Sequence, residues 1–177
     1  VLIIDDDVYF PKDAVKRMYD ALQKYDADGI VPDTFPSQNL SLKSKIGAYL
    51  TNTVSGRKND GWAIRIKRSG AFSFNNCPEK GAVYPTESGA GTAVFMKTSV
   101  WKSIHYEQEA WIDQFPAGTF GEDQLMYQKI IENGYKLLMW YDSGVLHLDA
   151  NSNKASQKTY DKIYYRAMAQ YLTWYRC

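Results

Sequence analysis

A short apolar run at residues 1–4 (VLII) ends abruptly in three carboxylates, Asp5, Asp6 and Asp7. The run is rich in β-branched residues, which is typical of a buried strand. Like charges packed this closely repel one another, and apolar surroundings strengthen the repulsion. A divalent cation is the simplest agent that offsets it, and open α/β sheets bind ligands at the carboxyl ends of their strands. The segment therefore predicts an α/β fold with a metal–phosphate site at a strand end.

The ligand type narrows the choice of metal. Oxygen-only ligation suits Mg²⁺ or Mn²⁺, which bind one or two carboxylates together with substrate phosphates. A second interpretation needs no metal, because Pro11 predicts a helix start just downstream and acidic residues near a helix N-terminus favour the helix dipole. Both interpretations fit this segment alone.

The composition is that of one ordinary globular domain over residues 1–177, with 45% hydrophobic and 23% charged residues. The net charge of +1 favours neither nucleic acid nor an anionic membrane as a partner. Aromatic residues make up 15% of the chain. Tyr and Trp suit contacts with sugars or nucleobases, and equally suit the filling of a core.

The two cysteines, Cys77 and Cys177, make neither a disulfide framework nor a zinc set. A reducing compartment fits this usage, so we expect a cytoplasmic protein, at the inner face of the membrane in its full-length form. No apolar run approaches the length of about 18 residues that a membrane span requires.

Hydrophobic periodicity predicts a mixed sheet flanked by helices. A helix from Pro11 to about Lys24 would place Val15 on its apolar face together with Ala14, Met18 and Leu22. The other predicted helices lie at 42–54, from 98 onward, at 121–133 and at 156–175. The predicted strands lie at 1–4, 30–31, 62–66, 71–74, 91–96, 135–140 and 144–148.

Two adjacent acids, Glu122 and Asp123, follow Gly121 and begin a predicted helix. Acids at this position complement the helix dipole, which explains them without catalysis. A metal–diphosphate site also needs a separate base to activate an acceptor, and a carboxylate held nearby would serve.

His147 is one of two histidines and alternates with Leu146 and Leu148 at a strand end. An isolated histidine of this kind is usually a hydrogen-bonded structural residue, but imidazole is also an acceptable third ligand for Mn²⁺. His105 has no acidic cluster beside it, and we expect it at the surface.

Four segments in order resemble family 2 glycosyltransferases with the GT-A fold. The three acids after an apolar strand resemble the DxD motif of that family. Residues 89–101 (GAGTAVFMKTSVW) resemble its glycine-rich strand and short helix, and residues 121–136 (GEDQLMYQKIIENGYK) resemble its acidic helix. Residues 140–149 resemble the strand pair that follows, with its late histidine.

The resemblance implies metal-dependent, inverting transfer of a sugar from a nucleotide-sugar donor to a hydroxyl of a carbohydrate or lipid-linked acceptor, in cell-surface polysaccharide or glycan synthesis. It implies Asp123 as the base, with Glu122 as the alternative. The implied ligands of Mn²⁺ or Mg²⁺ are Asp7, Asp5 directly or through water, and His147. The remaining implied contacts are those of Asp6, Gly89 and Gly91 with the donor and of Trp111 with the acceptor.

Family members carry nucleotide-binding strands before the DxD strand, and this chain contains none. The resemblance therefore implies the C-terminal part of a catalytic domain with an incomplete GT-A-like sheet. We expect residues 1–4 to form an exposed sheet edge or to pair with a second copy of the chain, and the isolated chain to bind nucleotide-sugar weakly. Gln124 and Gln128 depart from the acidic and arginine residues usual in the family's helix, which leaves acceptor-side details open.

Other classes share single features with the chain. A non-catalytic carbohydrate-binding module fits the aromatic content but gives no reason for two acid clusters. A phosphatase of the haloacid-dehalogenase type has D-x-D-x-(T/V) after its first strand, whereas Tyr9 stands where that motif requires Thr or Val. A receiver domain needs a later strand that ends in a phosphorylated Asp, and residues 50–53 (LTNT) offer none. Glycoside hydrolysis would use a carboxylate pair at fixed separation.

Overall fold

The computed structural model describes residues 1–34, 42–50, 53–54, 59–68, 71–105 and 122–148, and the single helical positions 164, 167, 168, 171 and 175. The strands with defined bounds are β1 (Leu2–Ile4), β2 (Val8–Tyr9), β3 (Gly29–Pro32), β4 (Ile64–Ile66), β5 (Phe72–Phe74), β6 (Val83–Pro85), β7 (Ala93–Met96), β8 (Leu137–Trp140) and β9 (Leu146–His147). The helices with defined bounds are α1 (Ala14–Tyr25), α2 (Leu42–Leu50), α3 (Thr98–Ser103) and α4 (Glu122–Glu132).

Five strands form a mixed sheet in the order β1-β7-β3-β8-β6. β7 is antiparallel to both of its neighbours, β1 and β3, while β3 and β8 are parallel and β6 is antiparallel to β8. Two further pairs, β2–β9 and β4–β5, form separate two-stranded sheets. The predicted α/β architecture with a mixed sheet is therefore confirmed at this level.

The strand directions bring the ends of three strands and the start of a fourth to one end of the sheet. Because β1 and β3 both run opposite to β7, the carboxyl ends of β1, β3 and β8 lie at the same edge as the start of β7. We call this end of the five-stranded sheet the carboxyl edge. It is the location at which open α/β sheets place ligands.

The side chains of β3 and β8 alternate between two apolar layers, as the two-residue period of a strand dictates. Ile30 and Leu138 pack with Met18 and Leu22 of α1 on one face of the sheet. The opposite face carries residues of β3, β7 and β8 packed against α3 and α4, among them Val31, Val94, Leu137, Val100, Tyr127 and Ile130. The two central strands are thus apolar on both faces because helices cover both.

Two predicted details of the first two helices were wrong. Val15 is 41% exposed, because the buried stripe of α1 runs through Ala14, Met18 and Leu22 at four-residue spacing. Val54 lies beyond the end of α2 and forms an isolated bridge with Phe74.

Strand β6 was not predicted from the sequence, and its last residue is Pro85. Proline lacks a backbone N–H, so it fits a sheet only where no donor is needed, and β6 is the terminal strand of the order. The predicted hairpin of 62–66 with 71–74 is present as β4–β5, with Ile64 opposite Phe74.

β1 is the other terminal strand of the described sheet, as expected from the sequence. It pairs with β7, and its Leu2 and Ile4 side chains are exposed. Self-association through this edge stays a prediction. The predicted helix at 156–175 falls mostly outside the described residues, and none of the described helices is long and apolar enough to cross a bilayer.

At the end of the sheet opposite to the carboxyl edge, Asp28 joins three strands. Its carboxylate accepts hydrogen bonds from Lys97 Nζ at 2.8 Å, after β7, and from the Lys136 N–H at 2.9 Å, before β8. Its backbone carbonyl accepts a hydrogen bond from the Lys97 N–H at 2.9 Å. Burial raises the pKa of Asp28, but the hydrogen bonds from Lys136 and Lys97 outweigh it and hold the pKa below the ordinary value of 3.8.

We expect Asp28→Asn to lower the free energy of unfolding at pH 7 by about 1–2 kcal/mol, since it removes charge-assisted hydrogen bonds. A lowered folded-state pKa means that this contribution is complete above the unfolded-state value and is lost as the pH falls through the folded-state value. The deficit should therefore shrink below about pH 4 in urea unfolding measurements. Asp20→Asn is the control, because Asp20 pairs with Lys16 at the surface. Equal effects of the two substitutions at pH 7 would contradict this role of Asp28.

Candidate functional site

The three acids after β1 are held at the carboxyl edge by backbone hydrogen bonds. The Asp5 N–H donates to the Thr92 carbonyl at 3.0 Å, which extends the β1–β7 pairing by one residue. The chain then turns through Asp6, which is exposed, into β2. β2 pairs with β9 so that Val8 lies opposite His147, and the Leu148 N–H donates to the Asp7 carbonyl at 2.8 Å. This pairing puts His147 beside the acid turn.

The side chains of Asp5, Asp7 and His147 converge, with potential ligand atoms that all lie within 4.8 Å of one another. His147 Nε2 lies 3.1 Å from Asp7 Oδ1. The short contact fits a hydrogen bond from the imidazole to the Asp7 carboxylate. The trio also offers two carboxylates and an imidazole nitrogen to a divalent cation. This donor set is one that Mn²⁺ accepts, so these residues fit the expected metal.

Asp123, in the first turn of α4, reaches the loop before β7. The Gly91 N–H donates to Asp123 Oδ2 at 3.1 Å. A Cβ at position 91 would overlap the carboxylate, so the absence of a side chain there is what admits Asp123. The open side of Gly91 faces this carboxylate, and a contact of Gly91 with the donor sugar stays a prediction.

Tyr127 secures the same loop from one helical turn further along α4. Its hydroxyl donates to the Ala90 carbonyl at 2.7 Å, and its side chain is fully buried. A Cβ at Gly89 would come within 3.1 Å of that hydroxyl and within 2.7 Å of Val31 Cγ1. Tyr127 was not predicted from the sequence, although its i,i+4 spacing from Asp123 places both on one helix face.

The electrostatics of the site single out Asp123. Burial, the negative charge of Glu122 and, more weakly, the charge of Asp5 raise the pKa of Asp123 to about 6, and the Gly91 N–H lowers it only in part. A carboxylate with a pKa near the working pH is suited to accept a proton. Glu122 is exposed at the helix start. The influence of Asp5 on Asp123 shows that the two acid clusters share one electrostatic neighbourhood.

The structure thus brings together most of the residues nominated from the sequence. Asp5, Asp7 and His147 form one cluster, and Asp123 and Gly91 form a second one beside it. His105 is exposed, as expected. Trp111, the nominated acceptor contact, lies outside the described residues, as do the first glycine of the acidic helix and the aspartate that follows β9.

The chain matches no protein-family model. No curated protein and no solved structure matches it either. The resemblance to family 2 glycosyltransferases therefore rests on the order of the four sequence segments.

The raised pKa of Asp123 carries a stability prediction that is independent of function. Because the folded-state pKa lies above the ordinary value of 3.8, ionisation of Asp123 lowers the free energy of unfolding. This loss is absent below about pH 4 and reaches its full size above about pH 6. Asp123→Asn should therefore unfold with a free energy about 1–3 kcal/mol higher than the wild type at pH 7.5, and with no such gain at pH 3.5.

Denaturant unfolding at the two pH values measures this difference, with Glu122→Gln as the matched control on the exposed neighbour. The control should change stability much less at pH 7.5. A less stable Asp123→Asn protein at pH 7.5 would show that its carboxylate is stabilised by the site rather than strained by it.

Proposed function

We propose that this chain carries the metal and base half of an inverting glycosyltransferase with a GT-A-like sheet. The observation that supports the proposal most is the juxtaposition at one sheet edge of two different acidic sites. One is the trio of Asp5, Asp7 and His147, and the other is the partly buried Asp123 with a pKa of about 6. Transfer from a nucleotide-sugar needs a group that stabilises the negative charge of the departing diphosphate and a base that accepts the proton of the acceptor hydroxyl.

Asp123 is the proposed catalytic base. In direct displacement, the acceptor hydroxyl oxygen attacks the anomeric carbon while its proton passes to the Asp123 carboxylate. The bond from the anomeric carbon to the diphosphate oxygen breaks on the opposite face, which inverts the configuration. The Gly91 N–H donates to Oδ2 and so fixes the orientation of the carboxylate that would take the proton. Glu122, which lies exposed at the start of α4, is the alternative base.

Asp5 and Asp7 would hold Mn²⁺ or Mg²⁺ together with His147. The bound cation would take up the negative charge that develops on the departing diphosphate. The backbone pairing of His147 with Val8 keeps the imidazole ring next to Asp7, with or without a bound cation. The side chain of Asp7 is 35% exposed, so a donor phosphate has access to it.

Asp6 and Gly89 lie on the two segments that border the trio and Asp123, as donor contacts would. The acceptor would be a carbohydrate or a lipid-linked molecule, with Trp111 as a stacking surface. Work at the inner face of a membrane in cell-surface glycan synthesis fits such an acceptor.

Metal removal tests the cation role. In the full-length protein, release of nucleoside diphosphate from a panel of nucleotide-sugars should require Mn²⁺ or Mg²⁺ and should vanish in EDTA. Asp7→Ala should abolish turnover, whereas Asp20→Ala on the exposed face of α1 should leave it unchanged. Full turnover in EDTA would contradict the metal role. Metal-independent sugar binding without turnover would indicate a carbohydrate-binding module instead.

The base has its own signature. Asp123→Asn should lower kcat by about 10²–10⁴-fold with little change in donor KM, because a general base contacts the acceptor and acts in the transition state. In the wild type, kcat/KM should rise with pH and level off above about pH 6, since Asp123 must be ionised to accept the proton. A large loss in Glu122→Gln together with an active Asp123→Asn would move the assignment to Glu122.

A further inference from the structure

The two halves of the acid–histidine trio belong to different sheets. Asp7 and His147 are joined within the β2–β9 pair. Asp5 instead continues β1 and is bonded to Thr92, at the start of β7 in the five-stranded sheet. The relative position of Asp5 and His147 therefore depends on how firmly these two sheets are connected at the carboxyl edge.

A pair of buried threonines adds a second connection to the covalent one, in which the chain passes from β1 through Asp6 into β2. Thr34, which follows β3, and Thr92, which precedes β7, are 1% and 9% exposed, and their hydroxyl oxygens lie 2.8 Å apart. Each also uses its backbone carbonyl to hold one member of the trio. Thr92 accepts the Asp5 N–H at 3.0 Å, and Thr34 accepts the His147 N–H at 3.2 Å. Three hydrogen bonds thus run in series from Asp5 to His147.

The hydroxyl bond lies where the strands themselves stop pairing. The β3–β7 register pairs Gly29 with Met96 and Ile30 with Phe95, and among the described residues it does not continue to the carboxyl edge. Beyond that point the Thr34–Thr92 hydroxyl pair bridges the two strands. If these buried hydroxyls moved apart, each would lose its hydrogen-bond partner away from water, which is costly. The hydroxyl pair therefore fixes the separation of the two strand ends.

We propose that Thr34 and Thr92 are positioning residues that set the separation of Asp5 and His147 for a divalent cation. The inference rests on the cation site of the proposed function. It assigns no contact between the threonines and the metal. Their effect passes through the two backbone hydrogen bonds to the ligand residues, in the way that outer hydrogen-bond partners orient metal ligands elsewhere.

Mn²⁺ affinity, measured from the loss of the free-ion electron paramagnetic resonance signal, tests the proposal without any turnover. Thr34→Val and Thr92→Val each keep the side-chain shape and remove one hydroxyl. Each should raise the Kd for Mn²⁺ by about tenfold. The double variant should bind about as weakly as either single one, because all three lose the same bond.

Two sets of variants separate positioning from general stability. Thr34→Ser and Thr92→Ser keep the hydroxyl and should retain the wild-type Kd. Thr86→Val is the matched control, because the Thr86 hydroxyl is buried and donates to the Ser88 carbonyl at 2.6 Å, which holds no member of the trio. It should leave the Kd within about twofold, inside the scatter expected for an uncoupled site.

The outcomes separate this inference from the function on which it rests. Wild-type binding of Mn²⁺ with an unchanged Kd in both valine variants would overturn the threonine role and leave the cation site standing. Absence of Mn²⁺ binding in the wild type would overturn both. If the valine variants do not fold, amide exchange in the wild type decides. Mn²⁺ should slow exchange of the Asp5 and His147 amides by the same factor, because the threonine bond couples the two carbonyls that accept them. Slowing of one of these amides without the other would overturn the proposal.

Discussion

The antiparallel position of β7 between β1 and β3 is the constraint on which the rest of the molecule depends. It aligns β1 and β3 in one direction, so that the acid turn after β1, the end of β3 and the loop before β7 meet at one edge. That loop then contributes the Thr92 carbonyl to Asp5 and the Gly91 N–H to Asp123. Without this arrangement the two acidic sites would have no common support.

Several carboxylates lie close together at the carboxyl edge. Asp5 forms one cluster with Asp7 and His147, and burial together with the negative charges of Glu122 and Asp5 raises the pKa of Asp123 to about 6. The fold tolerates this cost because opposing groups are built in: the Gly91 N–H for Asp123 and the imidazole of His147 for Asp7. A buried carboxylate with a raised pKa at a sheet edge makes Asp123 a candidate for a functional group.

The sequence predicted what local pattern controls. The acid turn, the helix that begins at Glu122, the hairpin β4–β5 and the apolar strands could all be located, because periodicity and turn chemistry are local signals. It did not predict what depends on strands distant in the chain. The role of Gly91 as a space for Asp123 and the Thr34–Thr92 hydroxyl pair arise from tertiary packing, which no local pattern encodes.

The central claim is that Asp5, Asp7 and His147 together bind one divalent cation. Crystals of the protein soaked in MnCl₂ and measured at the manganese absorption edge test it most directly. The account predicts a single strong anomalous peak at the carboxyl edge, within bonding distance of oxygens of both carboxylates and of a ring nitrogen of His147. A map without a peak there, with His147 still hydrogen-bonded to Asp7, would contradict it.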